Sequence, residues 1–141
     1  MKAVVVDASV TLAWCFPDEG SEYAESVLMA LNGQTMTVPA IWALEIANAI
    51  LVGEKQKRSR QPEILRFMVL LEKLVIVQDA QSVAETVNNV LPLARDHGLS
   101  AYDASYLELS LRQGAPLATL DRRLQKAAQQ TGIKILRGES N

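Results

Sequence analysis

The chain has 141 residues, 49% apolar and 21% charged, ordinary globular proportions that argue against disorder, a coiled coil or a collagen-like repeat and suit one domain over residues 1–141. Lys and Arg number 14 against 16 Asp and Glu, a net charge of -2, so no overall basic footprint for nucleic acid exists; with four of those acids on metal ions, the remaining balance would turn positive. One cysteine, Cys15, and one histidine, His97, exclude an internal disulfide, a Cys-rich zinc site and a multi-His metal centre.

Residues 2–7 carry a β-branched run ending in a carboxylate, Asp7, and predict a buried strand. That apolar run is too short for the ~7–15 residues of a signal peptide. The uncharged stretch 26–44 is interrupted by Asn32, Gly33, Gln34 and Pro39, so no membrane span is expected, and a cytoplasmic protein is. A short helix is expected over 9–15, then a loop over 16–20. Ser21 caps a helix to about Leu31, with Ala24, Val27, Leu28 and Leu31 on one face. Residues 35–38 form a second strand, and Pro39 opens a helix over 40–53.

A basic linker, 55–60, precedes a helix from Pro62 to Lys73 and a third strand over 74–77. Helical periodicity over 82–97 should break near Pro92 and end at Gly98. A helix over 100–113, a strand over 116–119, a helix over 121–130 and a last strand over 133–136 follow. Alternation of strands and helices predicts a mostly parallel sheet with helices on both faces.

The 40–52 helix is apolar nearly all round, which predicts burial. Its one charge is Glu45, with Asn48 on the same stripe. A carboxylate in such a setting requires a cation: Arg, Lys or a metal. Asp7 and Asp121 each follow a predicted strand, where ligand sites form in parallel sheets, yet each also reads as a helix N-cap. Asp103 lies in Ser100-Ala101-Tyr102-Asp103, the pattern of a capping box. Together the acids would form a cluster whose repulsion a hard divalent cation relieves. His97, next to Gly98, is expected to end a helix rather than to act as a base.

These same residues carry a family resemblance. Val-Val-Val-Asp-Ala-Ser (4–9), Pro-Ala-Ile-Trp-Ala-Leu-Glu-Ile-Ala-Asn-Ala (39–49), Leu-Ser-Ala-Tyr-Asp-Ala-Ser-Tyr-Leu-Glu-Leu (99–109) and Leu-Ala-Thr-Leu-Asp-Arg-Arg-Leu (117–124) resemble, in order, the motifs of PIN-domain ribonucleases of the VapC-like toxin kind. The resemblance implies an α/β, three-layer α/β/α sandwich around a five-stranded parallel sheet of order 3-2-1-4-5. It implies Mg²⁺- or Mn²⁺-dependent endoribonuclease activity, with RNA as substrate.

Carried over by residue, Asp7 and Asp103 would be the main metal ligands, Glu45 would ligate or orient a water, and Asp121 would complete the set. Ser9, Asn48 and Thr119 match polar positions that hold the carboxylates or their waters. The resemblance further implies a homodimer and a cognate antitoxin whose C-terminal segment blocks the acidic groove, an inserted Arg standing in for the metal. Pro92 departs from the family, where the corresponding helix is often continuous.

Two other readings compete. A phosphoaspartate receiver or phosphatase would use Asp7 or Asp79, but Ser9 stands where a phosphatase of that type wants a second Asp, and neither scheme uses Glu45. A non-catalytic PIN-fold module would only bind a partner. The 55–60 run reads as a solvated loop, and Arg122 and Arg123 could approach an RNA backbone or pair with an acid. Trp14, Trp42, Tyr102 and Tyr106 read as core or dimer contacts, and Cys15 as a small buried hydrophobe.

Overall fold

The computed structural model describes residues 2–16, 21–57 and 60–137. β1 (Ala3–Val6) leads into α1 (Ala8–Cys15) and α2 (Glu22–Ala30), then β2 (Thr35–Val38), α3 (Ile41–Lys55) and α4 (Gln61–Lys73). β3 (Val75–Gln78), α5 (Val83–His97), α6 (Ala101–Gln113), β4 (Leu117–Ala118) and α7 (Arg122–Gln130) complete the order. Residues 17–20 of the expected loop, and Arg58 and Ser59 of the basic run, lie outside the described residues.

The four strands form one parallel sheet, β3-β2-β1-β4. β1 is central and wholly apolar, with Val4, Val5 and Val6 in the core, which is why its β-branched run makes a strand. The chain steps from β1 to β2 to β3 in one direction, then returns past both to β4. Right-handed crossovers put α1–α4 on one face and α5–α7 on the other. The strand order reverses between β1 and β4, the position at whose carboxyl ends ligand sites form in open parallel sheets.

Polar caps set the helix starts. Ser21 Oγ accepts from Ala24 N–H at 3.0 Å, Ser82 Oγ from Glu85 N–H at 3.2 Å and Ser100 Oγ from Asp103 N–H at 3.1 Å. Gly98 closes α5 at φ 62°, a left-handed position that glycine adopts without strain.

Three expectations are corrected. The sheet has four strands, not five. The segment 133–136 does run beside β4, with Leu117 N–H to Lys134 O at 2.9 Å and Leu136 N–H to Leu117 O at 2.8 Å, but it makes a single bridge, Leu117 to Ile135. β4 is two residues long because Thr119 and Leu120 already turn towards α7, so no longer ladder can form. Second, α5 does not break at Pro92. Pro92 is exposed, so water can serve the carbonyl its missing N–H leaves unpaired. Third, α3 is not buried all round: Leu44 is 68% and Leu51 57% exposed. Only the side bearing Trp42 and Ile46 packs inward. No helix among the described residues is long and apolar enough to cross a membrane.

Candidate metal centre

Asp7 is the first residue beyond β1. Its N–H donates to Ala118 O at 3.0 Å, which sets its side chain next to Thr119 across the β1–β4 rung. Oδ1 accepts from Ser9 Oγ at 2.6 Å and from Val10 N–H at 3.2 Å, and Oδ2 accepts from the Thr119 hydroxyl. Asp7 is thus the α1 N-cap. The two hydroxyls reach further: Ser9 Oγ accepts from Leu120 N–H and Thr119 Oγ1 from Asp121 N–H, both at 3.0 Å. They stitch the β1–α1 corner to the β4–α7 corner.

Asp7 is only 4% exposed. Burial pushes its carboxyl up to about 6; the Ser9, Thr119 and Val10 hydrogen bonds pull it down, and the charge of Asp103 pushes it up again.

Asp103 lies on the first turn of α6. Burial raises its pKa, the charge of Asp121 raises it further, and hydrogen bonding to Ser100 opposes both. Glu45, on α3, is raised by burial and by the Asp103 charge, against the lowering hydrogen bond from Tyr106. Asp103 is therefore electrostatically coupled to Asp7, Glu45 and Asp121, from three other parts of the chain. Asp121 Oδ1 caps α7, accepting from Arg123 N–H at 2.8 Å and Leu124 N–H at 3.1 Å.

Among the described residues, no Lys or Arg forms an ion pair with any of the four. Glu45 is half-buried rather than enclosed, and its partner is the Tyr106 hydroxyl, which donates to Oε1 at 2.5 Å. The burial expected of Glu45 is thus corrected: it is part exposed, and among the described residues its partner is a neutral donor rather than a Lys or Arg.

The donor set fits a hard cation: carboxylate oxygens only, mutually repelling, without a protein cation. Among the described residues no three acidic, His or Cys side chains gather closely enough to cage a metal alone.

The remaining candidates separate. Asn48 is exposed, one turn beyond Glu45, and hydrogen-bonds to none of the four acids. His97 ends α5 and meets Gln130 Oε1 at 3.3 Å. Arg122 and Arg123 are exposed beside Asp121. Asp79, after β3, has both oxygens held by Arg112, at 3.0 and 2.6 Å, so neither is free to act as a nucleophile. Tyr102 is exposed, whereas Trp42 and Tyr106 are core residues and Cys15 is buried.

Tyr106 is the residue that sequence reasoning passed over. Its spacing of three from Asp103 put it on the same helix face, a signal that could have linked it to the acids.

Residues 4–130 match the PIN domain family. The chain is 32% identical over 121 residues to "Ribonuclease VapC3" of Pyrobaculum aerophilum, covering 86% of this chain and 91% of that protein. Its fold is similar to that of PAE2754 from Pyrobaculum aerophilum (TM-score 0.65, 22% identity, 90% of this chain and 79% of that one). It is also similar to VapBC2 from Rickettsia felis, solved bound to a DNA fragment from their promoter (TM-score 0.68, 11% identity, 97% and 99%). FitAcB from Neisseria gonorrhoeae shares the fold too (TM-score 0.55, 17% identity, 95% and 96%). With its motifs in order, a parallel α/β fold and a family match over nearly its whole length, the chain belongs to the PIN-domain family and is VapC-like.

Proposed function

We propose that this protein is a divalent-metal-dependent endoribonuclease, the toxin of a toxin–antitoxin pair. One observation carries the reading. Asp103 of α6 lies close enough to Asp7, Glu45 and Asp121 for their charges to be felt between them, and no protein cation among the described residues neutralises these acids. Identity to a protein named as a ribonuclease supports the substrate class.

Asp7 and Asp103 would hold Mg²⁺ or Mn²⁺ most directly, with Glu45 and Asp121 completing the set. When bound, the cation supplies charge neutralisation at the phosphodiester and a more acidic water. The protein's part is orientation. Ser9, Thr119 and Val10 N–H fix Asp7, and the α7 cap fixes Asp121. Tyr106 occupies Glu45 Oε1, leaving Oε2 to orient or deprotonate the attacking water. Arg122, Arg123 and Lys126 are exposed on α7 beside Asp121, with no ion pair among the described residues. They offer the RNA backbone a positive approach in a chain of net charge -2.

The same reading includes a homodimer, a cognate antitoxin and action in the cytoplasm. Leu44, Leu51 and Val52 leave an apolar face on α3 that a second copy would cover.

The test is cleavage of RNA in Mg²⁺ or Mn²⁺ by the wild type and by Asp7→Asn, with circular dichroism as the folding control. The expected loss is about two to three orders of magnitude, the scale for removing a group that stabilises transition-state charge. Equal cleavage by the variant, or undiminished cleavage in excess EDTA, would defeat the proposal. A folded wild type that binds RNA or an antitoxin but never cleaves would mark a binding module instead.

A further inference from the structure

We propose that Tyr106 is a positioning residue of the acidic site, its hydroxyl holding Glu45 of α3 against the acids of β1 and α6. The inference rests on the metal-site reading above and assigns a device within it.

The ring is 1% exposed and among the largest fully buried side chains. Its hydroxyl donates to Glu45 Oε1 at 2.5 Å. Through that one bond the α6 phenol is tied to the α3 carboxylate.

Glu45 needs this tie. It is the one acid of the four supplied by α3, whose outer face is open, and no Lys or Arg pairs with it among the described residues. A glutamate has three rotatable side-chain bonds, and fixing them costs rotamer entropy. The backbone of α3 is tied separately: Trp42 Nε1 donates to Thr11 Oγ1, which donates to Asp7 O, both at 3.2 Å. Trp42 and Glu45 are three apart on one helix face. The indole fastens α3 to α1, and Tyr106 then aims the carboxylate.

Tyr106→Phe keeps the buried ring and removes only the hydroxyl. Mn²⁺ affinity is measured by electron paramagnetic resonance, alongside RNA cleavage as a function of Mn²⁺. The wild type, Tyr106→Phe, Glu45→Ala and the double variant are compared.

The expected result is Mn²⁺ binding weaker by about 10–100-fold in Tyr106→Phe, the range for residues that orient metal ligands. Saturating Mn²⁺ should restore most of the cleavage. Adding Tyr106→Phe to Glu45→Ala should change neither quantity further.

Unchanged Mn²⁺ affinity in Tyr106→Phe, or a loss that adds in full to that of Glu45→Ala, overturns the proposal. Should Tyr106→Phe not fold, Glu45→Asp draws the carboxylate back from the phenol by one methylene. It is then expected to show the same weakening, and wild-type affinity there overturns the proposal instead. A wild type that neither binds Mn²⁺ nor cleaves RNA with it sinks the metal-site reading and this proposal with it. A wild type that does both, beside an indifferent Tyr106→Phe, sinks only the role of Tyr106.

Discussion

Two groups of carboxylates lie at the carboxyl ends of one sheet, and they are neutralised in opposite ways. Beyond β3, Asp79 and Glu108 share Arg112, which reaches Asp79 at 2.6 Å and Glu108 at 2.7 Å, while Gln81 donates to Glu108 at 3.1 Å. These pairs raise the guanidinium's pKa above its ordinary value, the Asp79 hydrogen bonds most of all, and the cluster is complete. Beyond β1 and β4, four acids have hydroxyls, backbone N–H groups and one another. Burial and mutual repulsion raise Asp7, Glu45 and Asp103. The first cluster brings its own cation; the second, on the proposed function, takes one from solution.

The contrast is sharpened most by the pH dependence of Asp7. Its folded pKa of about 6 lies above the ordinary aspartate value of 3.8, so the folded state binds more protons than the unfolded state between those values. The carboxyl's contribution to stability is fully favourable below about 3.8 and is lost as pH rises through about 6. In EDTA, Asp7→Asn should then be more stable than wild type at pH 7.5, by roughly 2–3 kcal/mol. That advantage should shrink as pH falls from 6 towards 4. Urea unfolding across the range measures it, and a pH-independent difference would break the comparison.

Arg112→Met should act in the opposite sense, because it strands Asp79 and Glu108. The expected cost at neutral pH is about 2 kcal/mol, below the range for a fully buried pair because Arg112 keeps 35% exposure. Thermal and urea unfolding measure this, and metal-dependent cleavage should survive. Asp121→Asn should have the smallest effect on stability, within about 0.5 kcal/mol, because Asn caps a helix about as well as Asp. Divalent-ion affinity should nonetheless fall, which separates the two duties of Asp121.

Much of this molecule was legible in its sequence because the relevant interactions are local. The Val-rich run made β1, Ser21, Ser82 and Ser100 made caps, and Gly98 ended α5. Asp7, Asp103 and Asp121 were legible as candidates because each follows a strand or opens a helix, and Glu45 because it is the one charge on an otherwise apolar stretch. The misses depend on what lies across space. Burial of α3 was inferred from composition, yet composition does not say whether a neighbouring element exists to cover Leu44 and Leu51. Pro92 was read as a break, although an exposed position lets water replace the lost bond. The last strand failed because β4 is too short to pair with it. The partners of Glu45 and Asp79, Tyr106 and Arg112, lie 61 and 33 residues away, beyond any pattern of spacing.

The most direct measurement is anomalous diffraction from crystals soaked in Mn²⁺ at neutral pH. The account predicts a peak within coordination distance of Asp7 and Asp103 and none at Asp79 and Glu108. A peak at the Arg112 cluster, or bare carboxylates at Asp7 and Asp103 in saturating Mn²⁺, would contradict it.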